Sequence, residues 1–544
     1  MFVVDTLSLL FVEDPTCQAL WLGLIPMVLG AGVIAWTVGR YYVDPKNLRR
    51  FPAPSVAAFT PLWSMWQSWK CVQTKAIHDA HEKLGPVVRV APNHISFTDP
   101  AAYKDIYGHG APIVKAEFYS HIADGNPSMS QATDKAVHAA KRRSLAHVFS
   151  AKEITAMEPR VMECVGRLLS ALEIKAAGGN IGPDDSYPVS DGAFDVRPWL
   201  NMLSYDAITS MFFTRDYGFL TVGNDLCPSA DKMGREKTVN AMDTFHSASR
   251  FNSTLAQLPL PLYKLGRKLL WFVHGNDSGS NFEGMSRAMV NYRLKHEPDG
   301  YDLFSRLPTA PTEKRPVPMP VDEIVAECAT MLDAGNDTTQ TTLTNCIYHL
   351  AANPEKQQKL YAALSTVYTA DIAGEPRKMK VLSTTALQQV PYLRAVLEEN
   401  WRCRPPVARG LPRQVTGAGA TIAGHFIPGG VTVSASIYTL HRNKSLFRKP
   451  LEFIPERWMP EEEESGAWDE TESKNLKDYC IPFSMGPRAC IGRNLAYMEV
   501  SLVMAALVLN FEWELAQEGC DMLMLERFNF NPKELIVKAK ARTQ

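Results

Sequence analysis

The chain lacks the paired cysteines that would hold a zinc ion or a reactive disulfide. It has ten cysteines but no Cys-x-x-Cys pair, which argues against zinc and thioredoxin-like sites. A disulfide scaffold is also unexpected, because such scaffolds belong to small secreted domains. We therefore expect most of the cysteines to be buried free thiols. These are Cys71, Cys164, Cys227, Cys328, Cys346, Cys403, Cys480 and Cys520.

The chain also lacks net charge, internal repeats and any obvious linker. Its 57 basic and 58 acidic residues leave a formal charge of −1, which gives no reason to expect nucleic-acid binding. No linker-like break in composition divides residues 56–544. With 46% apolar residues, this part of the chain can bury a large core. We predict one large domain over residues 56–544.

Near the N-terminus it is charge that is missing, since no charged residue occurs between Asp14 and Arg40. Residues 19–38 would form a helix about 30 Å long, enough to cross a bilayer core. Acidic residues precede this segment and basic residues follow it. The positive-inside rule then places residues 1–18 in the lumen and the bulk of the chain in the cytoplasm. We predict a single-pass anchor followed by a basic, proline-containing hinge at residues 39–55; a buried core helix is the alternative.

One cysteine, Cys490, lies in a glycine-containing loop that runs Phe-Ser-Met-Gly-Pro-Arg-Ala-Cys-Ile-Gly from Phe483 to Gly492. Gly486 and Gly492 allow the backbone to turn tightly and to approach a flat partner. Arg488 places a permanent cation two residues before the sulfur, and an apolar helical pattern starts just after the loop. A helix N-terminus stabilises a nearby thiolate. The loop therefore predicts that Cys490 is a metal ligand.

A second motif, Asp-Ala-Gly-Asn-Asp-Thr-Thr, begins at Asp333 inside a long helical pattern. Glycine costs about 1 kcal/mol in a helix interior relative to alanine, and threonine can bond back to a carbonyl one turn earlier. The motif is either a structural kink or a functional gap. In the functional interpretation, Ala334 and Gly335 leave room for a small molecule, and Asp337 and Thr338 relay protons to it.

Together these motifs resemble those of the cytochromes P450, in which the cysteine loop lies about 150 residues after the helical motif, as here. The resemblance covers the chain from about Arg50 to the C-terminus. It implies a mainly α (α+β) fold with many helices and small sheets. It also implies haem b between the long central helix and the loop, with the Cys490 thiolate on the iron and dioxygen on the side of Ala334.

Local patterns agree with an α-rich α+β fold. The segments 87–91 and 94–97 are predicted to form two strands joined by a turn. Asp99 followed by Pro100 predicts a helix start. A further hairpin is predicted with strands at 421–427 and 431–435 and its turn at Pro428-Gly429-Gly430.

Three charged residues resemble a structural network of the same family. Glu399 and Arg402 lie three residues apart, which puts both on one face of a helix. Arg457 lies in a Phe-Ile-Pro-Glu-Arg-Trp segment that resembles the family's second-arginine segment. The resemblance implies one buried network that holds the Cys490 loop. Losing one partner would leave a buried charge unpaired.

Haem carries two propionates, so cations should converge on them. The candidates are Arg488, Arg142 and Arg413, and the resemblance also assigns Phe483 and Gly492 to the cofactor site. His138 stands where the family often has tryptophan, one turn before Arg142. The neighbours Lys141 and Arg143 are either solvated or, with Arg493, form a basic face for an acidic reductase.

Asp333 occupies a position that is usually apolar in the family, four residues before Asp337. In one interpretation its carboxyl is hydrogen-bonded within the fold or reaches water. In the other it lines the pocket and contacts a polar or cationic group on the substrate.

The resemblance implies a monooxygenase that inserts one oxygen atom from dioxygen into an apolar or amphipathic small molecule. Electrons would come from NADPH through NADPH–cytochrome P450 reductase, with cytochrome b5 as a further partner, at the endoplasmic reticulum membrane. The details resemble fungal secondary-metabolism members. Segments 118–129 and 245–261 are the expected substrate-recognition regions. The alternatives are a desaturase, isomerase or dehydratase on the same fold, and a non-catalytic haem sensor or carrier.

Overall fold

The computed structural model describes residues 27, 30–32, 34–123, 126–181, 187–273, 275–309, 318–371, 380–463, 465–466 and 468–542. The predicted lumenal segment and most of the predicted anchor lie outside these residues. Within them, no helix is both long enough and apolar enough to cross a membrane.

The structure consists mainly of helices with a few small sheets, which confirms the predicted mainly α (α+β) fold. The helices used below are α1 (Leu62–Trp69), α2 (Gln73–Leu84), α3 (Pro100–Tyr107), α4 (Phe118–Ile122), α5 (Lys135–Leu145), α6 (Ala151–Thr155), α7 (Glu158–Ala176), α8 (Arg197–Phe213), α9 (Phe219–Val222), α10 (Ala241–Leu255), α11 (Leu260–Leu269), α12 (Gly275–Lys295), α13 (Val321–Ala351), α14 (Pro354–Asp371), α15 (Thr384–Leu387), α16 (Pro391–Cys403), α17 (Ile437–Leu440), α18 (Glu470–Tyr479) and α19 (Arg493–Asn510). The strands are β1 (Val87–Ala91), β2 (His94–Phe97), β3 (Ile113–Lys115), β4 (Phe194–Asp195), β5 (Leu226–Ala230), β6 (Glu236–Asn240), β7 (Arg413–Val415), β8 (Gly419–Ile422), β9 (His425–Pro428), β10 (Thr432–Ala435), β11 (Phe511–Leu515), β12 (Met524–Arg527), β13 (Asn529–Pro532) and β14 (Ile536–Ala541).

The largest sheet has the strand order β1-β2-β10-β7-β3. Strands β1 and β2 pair antiparallel, as predicted. The helix start at Asp99 is also confirmed, since the Asp99 carboxylate accepts from the Ala101 N–H and Pro100 is the first helical residue. Strand β3 lies at the edge of this sheet. Its last residue, Lys115, contacts Tyr119 of α4.

The predicted turn of the second hairpin was wrong. Strand β8 pairs with β9 across a turn at Ala423-Gly424, where both residues have positive φ, 45° and 79°. That geometry closes a two-residue hairpin. Strand β10 does not pair with β9 but lies parallel to β2 and antiparallel to β7.

The core is built around the long helix α13, which is helical throughout its 31 residues. Helix α8, in which all 17 residues are buried, packs along it. Helix α19 follows the Cys490 loop and buries the unbroken run Leu502–Leu509. Such continuous burial indicates a helix surrounded by protein on all sides, and it fixes the loop against the core.

Candidate active site

The loop that carries Cys490 is shaped by one glycine that no other residue could replace. Gly486 has a φ of 68°, and a Cβ there would lie 2.1 Å from the carbonyl oxygen of Tyr107. The backbone N–H of Cys490 donates to the carbonyl of Phe483 at 2.9 Å, which closes the loop. Helix α19 begins three residues after the cysteine, and the N–H of its N-cap residue, Gly492, stabilises the thiolate.

The Cys490 side chain is exposed on one side, and protein packs around the rest of it. Burial raises the pKa of the Cys490 thiol, while the Gly492 N–H and the charges of Arg142 and Arg493 act in the opposite direction. Phe483 packs against Trp401 of α16, with ring centroids 5.0 Å apart at 73°. The loop is thus braced against α16, and Cys490 is not among the residues that line the cavity described below.

A group of cations lies beside this loop. Burial, together with the neighbouring charges of Arg413 and Arg142, lowers the pKa of Arg488 to about 10. Burial followed by the same surrounding cations lowers the pKa of His138 to about 4, so this imidazole is neutral at pH 7. The half-buried Lys115 lies here too, and desolvation of its ammonium, followed by the charges of Arg413 and Arg488, lowers its pKa well below the usual range. The structure therefore brings the four predicted residues together and adds Lys115.

These cations need an anion that the described chain does not supply. None of Lys115, Arg142, Arg413 and Arg488 forms an ion pair with a described carboxylate. Arg488 donates Nη1 to the Ala132 carbonyl at 2.8 Å, but its buried Nη2 has no partner. Arg413 is buried and the other three cations are half-buried. Cations without a carboxylate partner and an unpartnered guanidinium nitrogen fit the two propionates of a haem.

Sequence reasoning missed Lys115 at this site, and it placed Tyr119 only within the predicted recognition segment 118–129, not beside the cations. The Lys115 ammonium lies 4.1 Å from the Tyr119 ring centroid, and the Tyr119 hydroxyl accepts from Arg413 at 3.4 Å. No local motif marks either residue. One correction concerns Lys141, which pairs with Glu323 at 2.5 Å and Glu327 at 2.9 Å and so does not offer a free charge to a redox partner.

The predicted charge network is assembled on α16, and its three members are 0% exposed. Arg402 donates to both carboxylate oxygens of Glu399, at 2.9 and 2.8 Å, and Arg457 donates to the same carboxylate at 3.1 Å. Burial alone would raise the pKa of Glu399, but Arg402 and Arg457 outweigh it and lower the pKa. Arg457 also pairs with Glu472 of α18. The network joins α16, α18 and the intervening chain behind the loop.

On α13, Ala334 and Thr338 face a cavity of about 870 Å³. The Thr338 hydroxyl donates to the Ala334 carbonyl at 2.7 Å, so it bonds back to its own helix. Gly335 does not face this cavity, contrary to the prediction. A Cβ there would lie 2.8 Å from Ile208 Cδ1, so this glycine allows α13 to approach α8 closely.

Asp337, the second residue of the predicted proton relay, lies behind the cavity wall and does not line the cavity. Its carboxylate accepts from Asn529 at 2.7 Å, Asn531 at 2.8 Å and Gln340 at 3.2 Å, and lies 3.3 Å from His246 Nε2. Burial would raise its pKa, but His246 and the asparagines outweigh it and lower the pKa to about 2. The Asp337 carboxylate is therefore ionised and held in place by its hydrogen bonds, behind the residues that line the cavity.

Asn529 connects Asp337 to the cavity, since it lines the cavity and donates to the carboxylate. It lies on β13, almost 200 residues along the chain, so no spacing rule indicated it. Both expected recognition segments contribute to the wall. Segment 118–129 supplies Tyr119, Ile122, Ala123 and Asn126, and segment 245–261 supplies Phe245, Ala248, Ser249, Asn252 and Ser253.

Comparison with known proteins agrees with this geometry. The family model described as Cytochrome P450 matches residues 57–539. The chain is 31% identical to "Benzoate 4-monooxygenase bphA" of Aspergillus niger over 513 residues, which covers 92% of this chain and 94% of the relative. It is 28% identical to "Cytochrome P450 monooxygenase ORF9" of Penicillium roqueforti, with 94% and 93% covered, and 28% identical to "Cytochrome P450 monooxygenase BOT4" of Botryotinia fuckeliana, with 92% and 87% covered.

The matched region contains the loop, the cation group and the cavity-lining helix described above. The chain belongs to the cytochrome P450 family of haem-thiolate monooxygenases, which use dioxygen and electrons supplied by a reductase.

Proposed function

We propose that the protein inserts one oxygen atom into a small apolar or amphipathic molecule of a fungal secondary-metabolite pathway, with electrons from NADPH–cytochrome P450 reductase. The observation that carries this proposal is the cavity of about 870 Å³. It is lined by Ala334 and Thr338 of α13, and also by Lys115 and its neighbour Tyr119. Its volume suits one small organic ligand.

When bound, haem b supplies the dioxygen and redox chemistry. Cys490 would hold it through the thiolate, and the cations Arg142, Arg413 and Arg488 would hold its propionates. The chain's own contribution is to orient the substrate, exclude water and deliver protons.

Proton delivery would pass through residues at the cavity wall. Thr338 presents its hydroxyl there, and Asp337 stays ionised behind it because its hydrogen bonds hold its pKa at about 2. A carboxylate that stays ionised has no proton to donate, so its role is to accept hydrogen bonds that orient the proton-donating groups. Asn529, which touches both the cavity and Asp337, extends that path to the pocket.

Reconstitution with NADPH–cytochrome P450 reductase tests this function. Candidate metabolites, including aromatic acids suggested by the benzoate 4-monooxygenase relative, are incubated with NADPH and labelled dioxygen. Incorporation of one labelled atom supports the proposal, and turnover without dioxygen contradicts it. Thr338→Val should separate NADPH consumption from product formation by about tenfold or more. The matched control is Thr344→Val, since Thr344 makes the same 2.7 Å back-bond to Gln340 away from the cavity.

The proposal includes attachment to the endoplasmic reticulum membrane through residues 19–38, with the catalytic domain in the cytoplasm and cytochrome b5 as a second electron donor. The uncharged stretch and the basic residues after it support this arrangement. Fractionation tests it: the full chain should sediment with microsomes after a carbonate wash. A chain that lacks residues 1–38 should show weaker retention, and equal retention would contradict the anchor.

A further inference from the structure

Asp333 is a carboxyl group on the cavity wall to which the described chain gives no partner. It is partly buried and lies on the cavity-facing side of α13. No described side chain or backbone group forms a hydrogen bond or ion pair with it. Thr330, one turn earlier, donates its hydroxyl to Ser128 at 2.7 Å, and so it does not serve Asp333.

The charged groups near Asp333 do not stabilise the ionised form of its carboxyl. Burial, followed by the like charge of Asp337, raises the pKa of Asp333 to about 8. The cations that line the same cavity are Lys115, Lys232, Arg235, Lys237, Arg267 and Arg287, and none of them is among the charges that shift the pKa of Asp333. Arg235 pairs with Asp231 at 2.7 Å. Arg287, on the same wall, pairs with Glu283 and Asp322. A half-buried carboxyl without protein donors is left to water or a ligand in the cavity, and the ionised Asp337 one turn away favours a cation beside Asp333.

We propose that the cavity binds a substrate that carries a protonated amine, and that Asp333 is its counter-ion. This inference rests on the proposed function, because it takes the cavity as the substrate pocket. The ammonium group supplies both the positive charge and the N–H donors that Asp333 lacks. An ammonium group also favours ionisation of Asp333, whereas a substrate carboxylate at this point would lie near the like charge of the ionised Asp337.

The test uses a matched pair of probes on the haem-loaded, full-length protein. One probe is dimethyl(phenylbutyl)amine, which is protonated at pH 7 and whose methyl groups hinder direct binding of nitrogen to iron. The other is the hydrocarbon in which C–H replaces N–H. Dissociation constants come from Soret titrations of the wild type and of Asp333→Asn, which keeps the shape and removes the charge.

We expect Asp333→Asn to weaken amine binding by about 10- to 100-fold, the usual effect of losing a charged hydrogen-bond partner. Binding of the hydrocarbon should change by less than about threefold. Asp231→Asn, which neutralises an acid at the same cavity, should leave the amine affinity unchanged. If Asp333→Asn does not fold, Asp333→Ala takes its place.

Unchanged amine affinity in the Asp333 variants would overturn the inference. So would an equal loss in Asp231→Asn, because the effect would then be the general potential of the cavity. These outcomes differ from failure of the proposed function, which would appear as missing reductase-dependent oxygenation whatever the probes bind.

Discussion

Replacing Arg402 by methionine tests the buried network behind the haem loop. Arg402 donates two hydrogen bonds to Glu399 and three to the carbonyls of His441, Pro450 and Glu452. Methionine has a similar volume but no donors. The variant therefore leaves three buried carbonyls without this partner and removes one of the two arginines that neutralise Glu399.

The expected cost follows from these contacts. Truncating one partner of a buried ion pair costs about 3–5 kcal/mol. Glu399 keeps three donors, from Arg457 at 3.1 Å, the Trp458 indole at 3.0 Å and the Ile454 N–H at 2.9 Å, so we expect the lower end, about 3 kcal/mol. Because domains are stable by only about 5–15 kcal/mol, the loss should lower both the free energy of unfolding and the haem-loaded fraction.

Denaturant unfolding followed by fluorescence measures the first quantity, and the haem-to-protein absorbance ratio measures the second. The control is Arg394→Met on the same helix. Arg394 pairs with Glu398 at 2.6 Å, but its side chain is 52% exposed, so its loss should cost less than about 1 kcal/mol. Equal costs for the two variants would refute the reasoning.

Two further predictions concern other buried charges. Burial raises the pKa of Glu499 to about 8, against a weaker effect of the Thr339 hydrogen bond. The folded state therefore keeps a proton that the unfolded state loses near pH 4.5, and stability should fall by up to about 1.4 kcal/mol per pH unit between there and pH 8. Glu499→Gln should flatten that slope in denaturant unfolding at pH 5 and pH 8, and an unchanged slope would contradict it. Lys115→Met should speed haem transfer to apomyoglobin by about tenfold, because a buried donor for a propionate is lost. Lys141→Met is the control, because Lys141 pairs with Glu323 and Glu327, and it should not speed haem transfer. Equal transfer rates for the two variants would count against Lys115 as a haem contact.

The features that could be predicted from the sequence are those set by local spacing. The Cys490 loop is confined to ten consecutive residues, and Glu399 and Arg402 share a helix face because they lie three residues apart. The first hairpin was predictable because Pro92-Asn93 is the only turn signal between its strands. The second was not, because Ala423-Gly424 and Pro428-Gly429-Gly430 both satisfy turn chemistry, and pairing of β10 with β2 decides between them.

Features that depend on distant segments were out of reach. Lys115 and Asn529 reach the site only because a sheet edge and a C-terminal strand fold against it. The helical pattern of α13 did not give its rotation relative to α8. Gly335 and Asp337 therefore turned out to face protein, while Asp333 and Ala334 face the cavity.

The most direct test of the central claim is the spectrum of the reduced protein with carbon monoxide, recorded for the wild type and for Cys490→Ser. Haem held by the Cys490 thiolate predicts the red-shifted, thiolate-type Soret band in the wild type and its loss in the variant. Cys227→Ser serves as the control, since Cys227 is a buried free thiol on β5, outside both the loop and the Glu399 network. A wild type without the band, or a Cys490→Ser variant that keeps it, would contradict the assignment of the ligand and the site built around it.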